Sequence, residues 1–87
     1  MENRTVRTVV KSSHLYSIGY DASTLTLDVQ FLDKHGKPNP NSIYRYLPVP
    51  LRVYQMLMNS DSKGSYLAKN IIPDRTIKVT KIVDLQM

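Results

Sequence analysis

The chain of 87 residues has no cysteine, three glycines, one phenylalanine and two histidines. Without cysteine there is no disulfide framework and no thiolate chemistry. No apolar run approaches the length of a membrane span, and the opening stretch MENRTVRTVV has no signal-peptide h-region. The expectation is therefore a cytoplasmic protein. Internal repeats and low-complexity segments are also absent. Acidic residues are scarce: seven Asp plus Glu against twelve Lys plus Arg, a net charge of +5. Such a balance disfavours acidic partners and suits phosphate-bearing ones, although a modest positive charge also serves solubility.

What is present suffices for one small domain covering 1–87, with a core from about residue 9 to 83 and a polar, frayed start at 1–5. A domain this small buries a modest share of its surface, so a homo-oligomer is a reasonable expectation. Val6 to Val10 can begin a strand. His14 to Tyr20 alternates, with Tyr16, Ile18 and Tyr20 on one side and Leu15, Ser17 and Gly19 on the other. Leu25 to Leu32 is the clearest strand. Leu25, Leu27, Val29 and Phe31 point one way, and Thr26, Asp28 and Gln30 point the other, towards water.

The segment 33–42, DKHGKPNPNS, reads as a mobile hairpin loop carrying Lys34, His35 and Lys37, because its prolines lack the N–H of a central strand. Ile43 to Leu47 returns as the paired strand. Pro48 and Pro50 end it, and Pro50 suits the first turn of a helix. In the helix Pro50 to Asn59, Arg52, Gln55 and Asn59 form a polar stripe opposite Leu51, Val53, Tyr54, Leu57 and Met58. Asp61 or Ser62 can cap a second helix, Lys63 to Lys69, and Thr76 to Val83 reads as the last strand. The predicted fold is α+β: a small antiparallel sheet of about four strands, two helices on one face, and the order β-β-β-α-α-β.

Catalytic signals are weak. Ser12, Ser13 and His14 are contiguous, and neighbours along a strand point to opposite faces, so they do not by themselves pair a nucleophile with a base. No ligand set has metal spacing and no cofactor motif occurs; the expectation is not an enzyme. Ser62-Lys63-Gly64-Ser65 offers a helix start with a lysine, suited to phosphate. It lacks the upstream glycine of a Walker A loop, and it equally fits an ordinary cap whose glycine lets the helix lie close to the sheet. Tyr44, Arg45 and Tyr46 offer rings and a guanidinium for base stacking, or else one tyrosine face belongs to the core. Arg52 adds a cation. The other cations, Arg4, Arg7, Lys11, Lys34, Lys37, Lys69, Arg75, Lys78 and Lys81, are spread without a run.

Several short pieces, in order, carry a resemblance: Ser12-Ser13, Gly19-Tyr20-Asp21, Leu25 to Phe31, Tyr44-Arg45-Tyr46, Val49-Pro50 with Val53-Tyr54, and Ser62-Lys63-Gly64-Ser65-Tyr66. With them the chain resembles the KTSC domain family, named for its occurrence at the C-terminus of some lysyl-tRNA synthetases and found as free-standing copies in bacteria and phages. The connection 33–42 is longer than the brief glycine-containing turn the resemblance implies. Asn59-Ser60-Asp61 stands where an alanine is common, and the last strand lacks an aromatic residue. The resemblance implies an RNA-binding role, and for a phage-encoded copy a place in the host cytoplasm.

Charge, tyrosines and resemblance together lead to a non-catalytic module for nucleic acid, RNA or single strands, since no helix has the Arg, Asn and Gln of a major-groove reader. One alternative is a binder of a phosphate-bearing nucleotide, such as a phage protein that sequesters a host signalling nucleotide. Another is a small protein-interaction or assembly domain using an open sheet edge. The candidate ligand-binding residues are Tyr44, Arg45, Tyr46, Arg52, Ser62, Lys63, Gly64 and Ser65.

Overall fold

A computed structural model describes residues 6–82; the expected fraying of 1–5 and the placement of Val83 in the last strand lie outside the described residues. The sheet is antiparallel and has five strands in sequential order: β1 (Thr8–Val9), β2 (Leu15–Asp21), β3 (Thr26–Leu32), β4 (Pro38–Leu47) and β5 (Lys78–Lys81). Helix α1 (Leu51–Met58) and the short α2 (Lys63–Tyr66) lie between β4 and β5, and α2 runs on as a π-helical segment, Leu67–Ile71. The α+β class is as expected. The strand count and the order β-β-β-α-α-β need one more strand at the front, because Thr8 and Val9 pair with Ile18 and Ser17.

Register explains the layers. Ile18, Val29 and Tyr44 lie opposite one another across β2, β3 and β4, as do Tyr20, Leu27 and Tyr46. These rows face the helices and join Val49, Leu57, Leu67 and Ile71 in one apolar core. The neighbouring row, Gly19, Asp28, Arg45 and Thr80, necessarily faces the other way. In β2 the simple alternation fails. The pairing shifts between Leu15 and Ser17, so Leu15 and Ile18 both enter the core, as an extra bulged residue allows.

The far face of β3 is not wet as expected. Asp28 is only 1% exposed, and Ser17, Thr26 and Gln30 are buried too. Side chains from other strands close over them. Arg45 donates to both oxygens of Asp28 at 2.9 and 3.0 Å. Arg7 donates to Ser17 at 3.1 Å, and Gln30 donates to the Asn39 carbonyl at 3.3 Å. Among the described residues no buried side-chain nitrogen or oxygen lacks a partner, so the face escapes the cost of burying bare polar groups.

The expected ten-residue mobile loop is also corrected. β4 begins at Pro38, which pairs with Leu32 across a register shift. Proline is tolerated there because it opens the strand, and β5 pairs with β4 only from Tyr44 to Leu47. The remaining turn is brief and tied down. Asp33 Oδ1 accepts the N–H groups of His35 and Lys37, and Gly36 takes a positive φ of 78°, a conformation open to glycine. Asp21 and Asp74 organise their turns in the same way, each accepting the N–H and hydroxyl of the residue two positions on. Hydrogen bonds hold all three carboxyls below the ordinary aspartate value: those from Ser23 lead at Asp21, the Lys37 N–H at Asp33, and Thr76 at Asp74.

The linker between β4 and α1 is pinned from both sides. The Val49 N–H donates to the Leu25 carbonyl at 2.8 Å, and the Tyr20 hydroxyl donates to the Val49 carbonyl. Tyr20 also stacks on Tyr54 of α1, ring centroids 4.4 Å apart and 6° from parallel. Burial, with a smaller effect from the Asp21 charge, raises the Tyr20 phenol above its usual value. Helix α1 packs Val53, Tyr54, Leu57 and Met58 inward as expected. Leu51 does not join them and is 47% exposed, because it opens the helix beyond the edge of the packed face.

Candidate functional site

The sequence-derived site residues separate into two groups on opposite sides of the sheet. Tyr44 and Tyr46 face the helices. Tyr46 is 4% exposed, and burial, followed by the neighbouring Tyr44, pushes its phenol up to about 12. Tyr44 meets Phe31 edge to face, with centroids 5.9 Å apart and planes at 81°. These rings are packing elements, so they make no open stacking platform. Arg45 lies on the far face, where hydrogen bonding to Asp28 raises its guanidinium above its ordinary value. Arg52 is exposed on α1. Arg45 therefore does not converge with Arg52 and Lys63, which belong to the helical layer.

At the start of α2 the expected cap by Asp61 or Ser62 is replaced. Ser62 makes no side-chain capping bond. Instead Ser60 Oγ accepts the Ser62 N–H at 3.1 Å and donates to the Ser62 carbonyl at 3.0 Å. Lys63 folds back, its ammonium donating to the Ser60 carbonyl at 3.2 Å. Two groups offered for phosphate, the Ser62 N–H and the Lys63 ammonium, thus have internal partners.

Gly64 shows why this turn contains a glycine. A Cβ there would lie 3.3 Å from His14 Cβ, 3.4 Å from Nδ1 and 3.5 Å from Cγ. The close neighbour is one histidine side chain at the entrance of β2. That entrance is shaped by Ser12, whose hydroxyl accepts the N–H groups of His14 and Leu15 at 3.2 and 3.1 Å. Residues 13 and 14 precede the strand, so the opposite-faces rule does not apply to them: Ser13 Oγ and His14 Nδ1 are hydrogen-bonded at 2.9 Å.

Between this corner and the second helical segment lies an open groove of about 350 Å³, lined by His14, Phe31, Gly64, Ser65, Leu67, Ala68 and Ile72. Its size is within the range of small-molecule sites. Its wall follows from the π turn. The Ile72 N–H donates to the Leu67 carbonyl at 2.9 Å, five residues back. Leu67 and Ile71 point into the core, while Ala68 and Ile72 line the groove, Ile72 being 54% exposed. Of the expected site residues, Gly64 and Ser65 line it, whereas Tyr44, Arg45, Tyr46, Arg52, Ser62 and Lys63 do not. Sequence reasoning missed His14, Phe31, Leu67, Ala68 and Ile72 as lining residues. The available signal was Gly64 and Ala68, two small residues one turn apart, together with a serine–histidine pair just before a strand.

Among the described residues, Arg7 and Lys11 flank the β1 edge, Lys78 and Lys81 lie on β5 at the opposite edge, Lys34 and Lys37 sit in or beside the turn between β3 and β4, and Lys69 lies in the π-helical segment. Among the described residues no cluster of His, Asp or Glu could hold a metal, and no helix is long and apolar enough to cross a membrane.

Comparison with known proteins agrees with this architecture. The crystal structure of a KTSC domain protein from Yersinia pestis superposes with a TM-score of 0.73 at 32% identity, covering 91% of this chain and 99% of that one. A protein of Stutzerimonas stutzeri (strain A1501), described as uncharacterized, is 37% identical over 60 residues, 69% of this chain and 75% of its own length. The KTSC domain matches residues 11–74, a span that includes Ser12 and His14, the tyrosine–arginine–tyrosine strand and the whole groove wall. On sequence and on fold, this chain belongs to the KTSC domain family.

Proposed function

We propose that this domain is a non-catalytic binding module for a phosphate-bearing nucleotide, held at the groove between His14 and the second helical segment. The observation that carries the reading is the groove: a concave, mainly apolar site with a few polar groups at its rim, on a chain of net charge +5. Binding rather than turnover is favoured because no carboxylate among the described residues hydrogen-bonds His14, so the Ser13–His14 pair has no third member to orient a base. A single-stranded nucleic-acid ligand fits less well. Its usual requirements are a track of cations and several exposed aromatic platforms, whereas the cations here are dispersed and Tyr46 is buried.

Calorimetric titration with mono-, di- and cyclic nucleotides, and with oligonucleotides of increasing length over a salt series, tests the reading. The expected outcome is saturable binding of a mononucleotide with no gain from length. Affinity that climbs with length and falls steeply with salt would replace it by the nucleic-acid reading. No heat with any nucleotide would overturn it.

A further inference from the structure

We infer that the groove takes the nucleobase, with His14 reading its edge, and that the phosphate stays outside; this rests on the nucleotide reading above. Charge complementarity divides the ligand. Phe31, Leu67, Ala68 and Ile72 make most of the lining, and neither lysine nor arginine contributes to it. The lysine beside Gly64 in sequence has its ammonium on the Ser60 carbonyl. A phosphate pressed against this wall would lose its hydration with no fixed cation in exchange, which is costly. An uncharged planar ring covers the same apolar surface at no such cost. The phosphate, joined to that ring through the sugar, then remains in solvent, within the field of a positively charged chain.

Two side chains suit a base in particular. Phe31 lines the groove, and its ring is fixed edge to face against Tyr44, so it offers an aromatic surface already in place. His14 is held through Nδ1 by Ser13, and its Nε2 has no partner among the described residues. When Ser13 donates to Nδ1, Nε2 carries the proton and donates; in the other tautomer Nε2 accepts. Either role matches an edge of a nucleobase, and the Ser65 hydroxyl lies on the same lining. Gly64 is the positioning residue. Its missing Cβ lets the imidazole lie against α2, and any side chain there moves the group that reads the ligand. The wall opposite is the π-helical segment, a rare geometry that is frequent at functional sites.

The experiment uses the full chain and three probe classes: the four ribonucleoside 5′-monophosphates, the matching nucleosides, and ribose 5-phosphate. The tightest nucleotide and its nucleoside are expected to bind within about tenfold of each other, and ribose 5-phosphate about a hundredfold more weakly. Ala68→Phe, which fills the groove from an exposed position, should abolish both nucleotide and nucleoside binding while the thermal midpoint stays near that of the wild type. His14→Ala should weaken both by about tenfold. Ribose 5-phosphate binding as tightly as the nucleotide, with the nucleoside silent, would overturn the base assignment and leave the nucleotide reading standing. Unchanged nucleotide affinity in a folded Ala68→Phe protein would overturn the assignment to this groove. Silence from every probe would overturn both readings.

Discussion

The segment Tyr44-Arg45-Tyr46 and the corner made by His14, Gly64 and Ser65 present opposite economies of side chains. The strand holds two rings and a guanidinium, all engaged by the fold: Tyr46 in the core, Tyr44 against Phe31, and Arg45 across Asp28. The corner holds plainer residues, yet His14 and Ser65 are exposed and border an open groove. The difference follows from position. β4 has neighbouring strands on both sides of this segment, the helical layer on one face and Asp28 within reach on the other, so what it carries acquires a partner. The entrance of a strand and the first turn of a helix have fewer neighbours, and polar groups there stay accessible. Residue type alone therefore favoured side chains that the fold already engages.

The contrast can be broken most forcefully at Tyr46. Tyr46→Ala should cost about 3–5 kcal/mol, as for other large aromatic truncations in cores, measured by urea denaturation; a loss below about 1 kcal/mol would mean that the ring is not part of the core. Arg45→Ala should come next. Removing one member of a buried pair costs about 3–5 kcal/mol. Here the Arg45 side chain is 28% exposed while that of Asp28 is 2% exposed. Truncation would open a path for water to the carboxylate, so a loss of about 2–3 kcal/mol is expected. Neither variant, where it remains folded, should alter the location of the ligand.

Gly64→Val should reverse the emphasis, costing about 1–3 kcal/mol through its contact with His14 and weakening nucleotide binding about tenfold, as His14→Ala does. Gly64→Ala is the finer instrument. Its single methyl asks His14 to yield by a few tenths of an ångström, and alanine's helical preference, about 0.5–1 kcal/mol over glycine, offsets the stability loss. Binding should therefore weaken while stability stays nearly level. A Gly64→Ala protein with unaltered binding would show that the imidazole does not touch the ligand.

The three turn aspartates give an acid signature. Asp21, Asp33 and Asp74 have folded pKa values below the ordinary 3.8. A lowered carboxyl binds its proton more readily in the unfolded chain, so its stabilisation is fully present above the unfolded value and disappears as pH falls through the folded one. Stability should thus decline from about pH 5 downward, and Asn at all three positions should flatten that decline in denaturation curves taken at successive pH values. The smallest effect belongs to Lys63→Ala. The lysine loses one bond to the Ser60 carbonyl and lies outside the groove lining, so about 0–0.5 kcal/mol is expected, with nucleoside affinity intact.

Much of the fold was legible because apolar periodicity is a local property. Leu27, Val29 and Phe31 mark the inner face of β3 from one strand alone, and Pro50 marks the start of α1. The buried far face was not legible. Asp28 and Gln30 read as solvent-facing until Arg45 and Asn39 arrive from β4 and Arg7 from just before β1, and no local pattern announces those meetings. The shift between Leu15 and Ser17 escaped for a related reason, since a bulge mimics alternation with one step missing. Pro38 suggested a loop because its missing donor was weighed without knowing that β5 covers only the later half of β4. For the groove, Gly64 and Ser65 were singled out through their turn, but His14 reaches it from the entrance of β2 and Phe31 from β3, and only the fold brings them to α2.

The central claim is that the groove corner, and not the tyrosine–arginine–tyrosine strand, meets the ligand. Amide chemical-shift mapping of the ¹⁵N-labelled protein with a 5′-ribonucleotide tests it directly. The account predicts the largest perturbations at His14, Gly64, Ser65, Ala68 and Ile72, with Tyr44, Arg45, Tyr46 and β5 close to their free positions. Perturbations concentrated on Tyr44 to Tyr46 and Lys78 to Lys81, with the groove amides unmoved, would contradict it.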